Sequence, residues 1–192
     1  MEPIQLRKPT ADVHASWLEN LKEWGTADQD GASVFFAEKF DWDLSQPEDF
    51  SRWVQLLNDL ANPQFQPPAG FVSQTTLWVC RGNEYLGAVS LRHELINEYL
   101  KVVGGHIGYG IRPSARGRGL AKIALAGVLE EARRLGLSKV LITCNDSNIA
   151  SYKTIESGGG ILEQVIDQSE IEETFGAQDA VRRYWIEHEP GV

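Results

Sequence analysis

The amino-acid sequence predicts a mixed α/β fold, in which helices flank a central sheet that is mostly antiparallel but contains one parallel crossover. The chain has 192 residues, 42% of them apolar, which is enough for one well-filled hydrophobic core. Segments with helical periodicity alternate with short β-branched or aromatic runs. The stretch from Arg112 to Cys144 has the pattern strand, helix, strand, which is typical of a parallel βαβ unit.

The first seventy residues are predicted to be mainly helical. A short strand, Ile4–Leu6, precedes a helix that begins at Thr10 and places four apolar residues on one side, namely Val13, Trp17, Leu21 and Trp24. Residues 25–43 show no regular pattern and are expected to be irregular. The tetrapeptide Ser-Gln-Pro-Glu at 45–48 has the capping-box pattern and predicts a second helix over about 47–62, with a Pro- and Gly-containing breaker after it.

The middle of the chain is predicted to form β structure. Thr75–Arg81 and Glu84–Arg92 are β-branched or aromatic-rich runs, and the Gly-Asn pair between them suits a tight hairpin. A loop or short helical piece at 94–103 leads to a further strand, His106–Arg112, which ends at a proline.

A helix over about 117–135 is the crossover element of the predicted βαβ unit, and Gly136 is placed to end it. Its expected core side consists of Leu120, Ala124, Leu125, Val128, Ala132 and Leu135. A strand at Lys139–Cys144 and a helix at Ser147–Ser157 follow. The chain is expected to close with an antiparallel pair, Ile161–Asp167 and Val181–His188, around an acidic excursion.

Charge and cysteine content restrict the possible partners. Eighteen Lys and Arg stand against 27 Asp and Glu, a formal net charge of −9, whereas nucleic-acid-binding proteins usually present a basic face, so no nucleic-acid partner is expected. The N-terminal residues lack the pattern of a signal peptide, and no segment approaches the ~20 apolar residues of a membrane span, so we expect a cytoplasmic protein without a membrane partner. Cys80 and Cys144 lie in separate apolar runs, which indicates buried free thiols and no metal site.

The main chemical signal is the segment Arg-Gly-Arg-Gly-Leu-Ala at 116–121, which follows a strand and opens a helix. The amides of such a turn point outward together, and the helix dipole adds partial positive charge. Gly117 and Gly119 let the backbone approach an anion closely, so the turn is a candidate site for a phosphate or pyrophosphate. The alternative interpretation is a surface turn with two solvated arginines. A dinucleotide fingerprint would need a third glycine where Lys122 stands, and no P-loop pattern is present.

The run from Ile107 to Ala121 resembles the acetyl-CoA motif of the GNAT acetyltransferase superfamily. That motif is a strand, a proline and then [RQ]-x-x-G-x-[GA], whose three specified positions are matched by Arg116, Gly119 and Ala121. The second signature of the family, an Asn-x-x-[AS] helix start with a glycine-rich end, is matched by Asn148, Ser151 and Gly159. The resemblance covers roughly Leu77 to Ile166, and the pattern at 104–109 also resembles an uncharacterised bacterial branch of the superfamily.

The resemblance implies the GNAT acyl-CoA N-acyltransferase fold over a single domain, 1–192, with a variable part at 1–70 and the acetyl-CoA motifs in the core at 71–192. It implies that acetyl-CoA is the cosubstrate, with its pyrophosphate held by the backbone amides of Arg116, Gly117, Arg118, Gly119, Leu120 and Ala121. Ile111 occupies the strand position whose backbone pairs with the pantetheine arm. Asn148 would bond the cofactor from the far side, and Ser151 would keep its helix close; taken alone, Asn148 also suits a simple helix start.

The catalytic residues are less clearly marked. The tyrosine that often serves this family as general acid lies seven residues beyond the asparagine, where this chain has Ile155. Tyr152, one turn earlier, is the candidate acid, with core packing as the alternative. His106 is a candidate general base, as is His93, although a lone strand histidine is more often structural. Tyr109 is a candidate for the wall of the acceptor pocket.

The function implied is transfer of an acetyl group from acetyl-CoA to a primary amine of a small molecule or peptide, by direct attack in a ternary complex. Two alternatives stay open: a non-catalytic acyl-CoA-binding module, which the missing tyrosine favours, and a nucleotide-binding protein that uses the same anion turn. The expected state is a monomer or a homodimer.

Overall fold

A computed structural model describes residues 2–25 and 29–187 of the chain. Its strands are β1 (Ile4–Arg7), β2 (Gln74–Arg81), β3 (Glu84–Arg92), β4 (Ile107–Ile111), β5 (Lys139–Asn145), β6 (Ile161–Ile166) and β7 (Val181–Glu187). They form one seven-stranded sheet in the order β1-β2-β3-β4-β5-β7-β6. Every neighbouring pair is antiparallel except β4 and β5, which are parallel. The predicted mixed α/β fold with a mostly antiparallel sheet is therefore confirmed.

Six α-helices accompany the sheet in the described part of the chain: α1 (His14–Trp24), α2 (Phe35–Lys39), α3 (Pro47–Asp59), α4 (Leu120–Arg134), α5 (Ile149–Ser157) and α6 (Gln168–Phe175). Short 3-10 turns occur at Ala11–Val13 and Pro113–Ala115, and a π-type turn occurs at Leu100–Gly104. Helix α4 connects the parallel strands β4 and β5, which confirms the predicted crossover. None of the helices in residues 2–25 and 29–187 is both long enough and apolar enough to cross a membrane.

Alternating residues of β2 serve two hydrophobic cores, one on each face of the sheet. Trp78 points to the face covered by α1 and α3, where it packs in one cluster with Trp17 and Trp53. Val79, the next residue, points to the opposite face and belongs to the cluster under α4. Successive strand side chains alternate between faces, so one strand contributes to both layers. The N-terminal helices and the crossover helix are thereby fixed to the same sheet.

Several local predictions differ from the structure. Residues 25–43, expected to be irregular, contain the five-residue helix α2, which is too short for periodicity to mark and is held by the burial of Phe36 and Ala37. The acidic excursion contains α6, whose capping box of Asp167 and Glu170 was a signal available in the sequence. The expected capping box at 45–48 does not form: Gln46 precedes α3 without a side-chain cap, and a proline in the first turn starts the helix.

Helix boundaries and one core assignment also differ. Helix α3 ends at Asp59 and α4 begins at Leu120, each about three residues inside the predicted limit. Leu135, expected in the core, is 38% exposed because it follows the last helical residue of α4. Gly136 adopts the left-handed conformation after it, as predicted for the end of this helix. The predicted end of the last strand at His188, and the expectation for 26–28, lie outside the described residues.

The parallel strands β4 and β5 are paired at one register position only, Ile107 with Ile142. Beyond this pair the two strands diverge toward their C-terminal ends, and the space between them opens toward the start of α4. The backbone of Asp30 and Gly31 lies directly against β4. A Cβ added to Gly31 would stand 2.5 Å from the carbonyl oxygen of Gly108, and one added to Gly110 would stand 2.7 Å from that of Asp30. The glycines therefore permit backbone-to-backbone packing that brings Asp30 and Gly31 to the edge of the opening.

Candidate functional site

A cleft of about 810 Å³ occupies the space between the diverging ends of β4 and β5. We call it the β4–β5 cleft; it is bounded by Ile111 and Tyr109 on one side and by Cys144 and Ser151 on the other. The amide of Arg112 donates to the carbonyl of Leu86 in β3, at 2.8 Å. Because successive residues of a strand direct their amides to opposite edges, the amide of Ile111 faces the cleft. Strand β4 thus presents unpaired backbone groups to a ligand in the cleft.

The turn at 116–119 forms one end of the cleft, and its backbone has the shape that the sequence predicted. Gly117 and Gly119 have φ values of +74° and +77°, and a Cβ at either position would meet open space. The need for glycine is therefore conformational and does not arise from crowding. The turn is exposed, and the amides of Leu120 and Ala121 in the first turn of α4 have no partner within the helix. These amides and the helix dipole can bind an anion.

The two arginines of this turn bind its backbone. The Nε of Arg116 donates to the carbonyl of Ile111 at 2.9 Å, and its guanidinium lies 4.6 Å from the ring centre of Trp24. The Nη2 of Arg118 donates to the carbonyl of Ser114 at 3.1 Å. Both side chains therefore help to hold the loop in position, in which the backbone amides at the start of α4 stay available to an anion.

A buried arginine connects this turn to α1. The Nε of Arg112 donates to Glu23 at 2.7 Å, and the other carboxylate oxygen of Glu23 accepts the amide of Ser114 at 3.0 Å. Hydrogen bonds from Arg112 and then Ser114 lower the pKa of Glu23 to about 2. The carboxylate is thus ionised at neutral pH and joins the N-terminal helix to the segment that precedes the anion turn.

On the far side of the cleft, Asn148 caps α5. Its Oδ1 accepts the amide of Ser151 at 3.0 Å, so the helix-start role that its residue type suggested is present in the structure. Asn148 also lines the cleft, and the cap uses its Oδ1, so its Nδ2 group is not needed for the cap. The cap and a cofactor contact are therefore compatible.

A hydroxyl pair bridges the cleft near its centre. The Tyr109 hydroxyl donates to the main-chain carbonyl of Ser151 at 3.1 Å and lies 3.0 Å from the Ser151 hydroxyl. Burial raises the pKa of Tyr109 to about 12. Cys144 adjoins the same pair, and burial raises the pKa of its thiol to about 11. Cys144 is a free thiol, as predicted, but it is half-buried and lines the cleft.

Both candidate catalytic residues lie outside the cleft-lining set, so the geometry does not support the roles expected for them. The ring of Tyr152 lies under the guanidinium of Arg182, at 4.3 Å, and packs against the α4 core. Ile155, at the position expected for a tyrosine, is completely buried in that core.

His106 is a structural histidine. Its own amide donates to the carbonyl of Leu141 at 2.7 Å, and its Nδ1 accepts the amide of Leu141 at 2.9 Å. Burial and the charge of Arg92 lower its pKa to about 4, as an accepting Nδ1 requires. The residue joins β4 to β5 at the closed end of the cleft. His93 is also held, with Nε2 at 2.9 Å from the Thr75 hydroxyl.

The cleft also contains residues that the sequence did not indicate as part of a site. Asp30 is the one carboxylate among the described residues that line the cleft. Arg92 lines it too, and its Nη1 donates to the carbonyls of Gly104 and Gly105, at 3.1 and 3.0 Å. Trp24 and Tyr99 add aromatic surface. No motif marks these positions, because they come from a loop, a strand end and a turn that meet only in the folded chain.

A family model for the acetyltransferase (GNAT) domain matches residues 4–160 of the chain. The chain belongs to the GNAT acetyltransferase family. This GNAT protein is accordingly an acyltransferase that uses acetyl-CoA as cosubstrate, and the resemblance based on the two motifs is confirmed. The match favours an enzyme over the two alternatives left open above, a non-catalytic module and a nucleotide-binding protein.

Solved structures share the fold of this GNAT protein at low sequence identity. RimL, a ribosomal L7/L12 α-N-protein acetyltransferase in complex with coenzyme A disulfide-linked to one of its cysteines, superposes with a TM-score of 0.66 at 18% identity over 98% of this chain and 96% of that chain. An acetyltransferase from Salmonella typhimurium that modifies the N-terminal serine of L7/L12 gives 0.62 at 18% identity over 97% and 95%. The microcin C7 self-immunity acetyltransferase MccE, in complex with acetyl-CoA and AMP, gives 0.61 at 19% identity over 96% and 92%. A sequence search of curated proteins gave no match.

The described residues of this GNAT protein fit acetyl-CoA. A left-handed glycine turn leaves backbone amides open at the start of α4, where a pyrophosphate would be held. The open edge of β4 at Ile111 suits the amide groups of a pantetheine arm. The cleft continues from there toward Tyr109, Ser151 and Asp30.

Proposed function

We propose that this GNAT protein transfers an acetyl group from acetyl-CoA to a primary amine of a small molecule or a peptide, by direct attack in a ternary complex. The observation that carries the proposal is the continuity of the β4–β5 cleft. One space of about 810 Å³ joins the anion turn to Asp30, so both substrates can occupy it together. A cytoplasmic location and a monomeric or homodimeric state stay predictions.

The cofactor end uses backbone groups. The amides of the 116–121 turn bind the pyrophosphate, the Ile111 amide pairs with the pantetheine arm, and Asn148 contributes its side-chain amide from α5. Bound acetyl-CoA supplies the thioester whose carbonyl carbon the amine attacks. Arg116 keeps the Ile111 carbonyl occupied, so that strand position offers its amide donor and no competing acceptor.

The acceptor end favours a cation. Asp30 provides negative charge beside the open strand edge, and the formal net charge of −9 attracts ammonium groups to the protein as a whole. An ammonium held at Asp30 gives up its proton to the carboxylate or to water before it attacks. No histidine is among the described residues of the cleft wall, so we assign no imidazole base.

Two measurements test the proposed function. Calorimetry with acetyl-CoA measures the cofactor site, and a thiol reagent measures CoA release in the presence of primary amines, amino acids and peptides with free N-termini. We expect saturable acetyl-CoA binding and release that depends on the acceptor. Binding of acetyl-CoA without release from any acceptor class would support the non-catalytic module and overturn the proposal.

A further inference from the structure

One arginine in the wall of the β4–β5 cleft has no carboxylate partner. Arg92 lines the cleft and forms no ion pair with any residue among 2–25 and 29–187, whereas the mostly buried Arg112 and Arg183 each pair with a glutamate. Burial lowers the pKa of Arg92, although a guanidinium stays charged at neutral pH. A partly desolvated charge without a counter-ion is unfavourable, so this position suits an anionic group of a ligand.

The hydrogen bonds of Arg92 leave one edge of its guanidinium unused. Its Nη1 donates to the carbonyls of Gly104 and Gly105, at 3.1 and 3.0 Å, which fixes the position of the group. Its Nε and Nη2 donate to no residue in the described part of the chain, and neither is among the fully buried atoms there that lack a partner, so both retain access to solvent. These two nitrogens form the edge of a guanidinium that can bind both oxygens of one carboxylate.

Arg92 lies on the same face of the sheet as the start of the α1–α2 connection. Leu91 and Ile111 belong to the hydrophobic cluster under α4, so their strand neighbours Arg92 and Gly110 point to the opposite face. The ring of Trp24, the last residue of α1, would lie 3.3 Å from a Cβ on Gly110. Arg92 therefore points to the face that α1 covers.

The position of Arg92 along β4 differs from that of Asp30. The amide of Arg92 donates to the carbonyl of His106 at 2.8 Å, beside the start of β4, whereas the carbonyl of Asp30 lies against Gly110, close to the end of β4 that leads to the turn at 116–119. Four residues of strand separate the two levels by about 13 Å of backbone, which the long arginine side chain partly spans. The charge of Asp30 raises the pKa of Arg92, yet the two side chains form no ion pair. A ligand with two opposite charges fits between them.

We propose that the amine acceptor of this GNAT protein also carries a carboxylate, which Arg92 binds while Asp30 binds the ammonium group. The inference rests on the proposed function and specifies its substrate class: a free amino acid, or a short peptide whose two ends carry the same charges. Arg92 is assigned as a specificity residue, because its partner is the acceptor and not the thioester.

Charge balance favours such a zwitterion over a simple amine. A simple amine brings one positive charge, which Asp30 compensates, but it leaves the guanidinium of Arg92 without a counter-ion and adds a second cation near it. A zwitterion compensates both groups. The order of the charges along β4 also orients the ligand, because its ammonium end lies nearer to Ile111, where we propose that the pantetheine arm binds, and its carboxylate lies farther away.

The test compares acceptors that differ only in the carboxylate. The probes are the common L-amino acids, their α-carboxamides and a set of dipeptides, and a thiol reagent measures kcat/KM for CoA release with each. We expect the best carboxylate-bearing acceptor to exceed its own carboxamide by about tenfold to a hundredfold, since a hydrogen-bonded charge pair is lost in the carboxamide. A higher kcat/KM for dipeptides than for amino acids would assign the carboxylate to a peptide, and the reverse to a free amino acid.

Variants at Arg92 assign the preference to this side chain. Arg92→Gln removes the charge but keeps a donor for the carbonyls of Gly104 and Gly105, so the ratio of acid to carboxamide should fall to about one while kcat/KM for the carboxamide changes little. Arg92→Lys keeps the charge without the two-nitrogen edge and should retain part of the preference. Arg52→Gln removes the same charge from the surface of α3 and should behave as wild type. Unchanged acetyl-CoA affinity in calorimetry shows that each variant keeps its fold and its cofactor site.

Different results would overturn this inference and the proposed function. If acetyl-CoA binds but no amine of any class is acetylated, the proposed function fails. If amines are acetylated and the wild type uses acids and carboxamides equally well, the acceptor carries no required carboxylate and the inference is wrong while the proposed function stands. A preference that persists in Arg92→Gln would likewise contradict the role of Arg92.

Discussion

The guanidinium of Arg112 and the carboxylate of Glu23 form an ion pair of 2.6 Å that fastens α1 to the segment before α4. The same carboxylate accepts the amide of Ser114, three residues before the anion turn begins its left-handed course. An N-terminal helix thereby supports the backbone that leads into the anion turn, although Glu23 and Arg112 are 89 positions apart in the chain.

Removal of Glu23 should destabilise the protein. Glu23→Ala leaves the mostly buried Arg112 and the Ser114 amide without their principal acceptor, for which we expect a loss of about 1–3 kcal/mol in the free energy of unfolding. Glu19→Ala is the control: Glu19 lies 3.4 Å from the same arginine but is largely exposed, and its removal should cost less than about 0.5 kcal/mol. Denaturant unfolding at pH 7 measures both.

The contribution of Glu23 to the free energy of unfolding should decrease as the pH falls. Its pKa is lowered in the folded protein from an ordinary 4.5 to about 2, so the stability it adds is present above pH 4.5 and is lost as the pH falls toward 2. The difference between wild type and Glu23→Ala should therefore shrink between pH 5 and about 2.5. A difference that stays constant over this range would contradict the assignment.

Gly119→Glu should abolish acetyl-CoA binding by placing a carboxylate where we propose that the pyrophosphate is held. The substitution also forces a non-glycine residue into φ of +77°, at a cost of about 1–2 kcal/mol. Gly136→Glu provides a matched control, because Gly136 has φ of +75° and equally open surroundings at the opposite end of α4. Calorimetry should show normal acetyl-CoA affinity for the control and a loss of at least about a hundredfold for Gly119→Glu, which corresponds to 2.7 kcal/mol. Equal acetyl-CoA affinities of the two variants would show that the pyrophosphate does not bind at this turn.

Asp30→Asn should weaken the binding of the amine without affecting the cofactor. The substitution keeps the size of the side chain and removes the charge at the acceptor end of the cleft. We expect KM for the amine to rise about tenfold at unchanged acetyl-CoA affinity, with kcat changed much less. Asp59→Asn makes the same charge change on α3, away from the cleft, and should leave KM as it is. An unchanged KM in Asp30→Asn would place the acceptor elsewhere.

Tyr152→Phe should reduce turnover by less than about threefold. A general acid typically contributes 10²–10⁴-fold, but the Tyr152 ring is held by Arg182 and does not line the cleft. Steady-state kcat with acetyl-CoA and a reactive amine measures the effect. A hundredfold loss of kcat at unchanged stability would show that Tyr152 is the general acid and that its position outside the cleft lining does not exclude this role.

Local patterns in the sequence were sufficient for the crossover unit and its anion turn. The apolar spacing of α4, the glycines before it and the strands on either side act within about thirty residues, and each depends on short-range conformational preference. The same holds for the Gly-Asn hairpin between β2 and β3. The short helix α2 escaped prediction because five residues contain too little periodicity, and its burial depends on a distant partner layer.

The sequence by itself therefore determined the fold class, the family and the glycine turn at which we propose that the cofactor binds, because these features depend on contiguous motifs. Only the tertiary structure decided which residues surround the rest of the cleft. Asp30 reaches the cleft through glycine contacts with β4, and Tyr109 meets Ser151 across 42 positions of the chain. It also places Tyr152 against Arg182 and His106 against Leu141, outside the residues that line the cleft, and their catalytic roles stay predictions. The physical reason is that these contacts depend on the divergence of two strands and on packing between distant segments. Neither produces a periodic pattern of apolar residues in the local sequence.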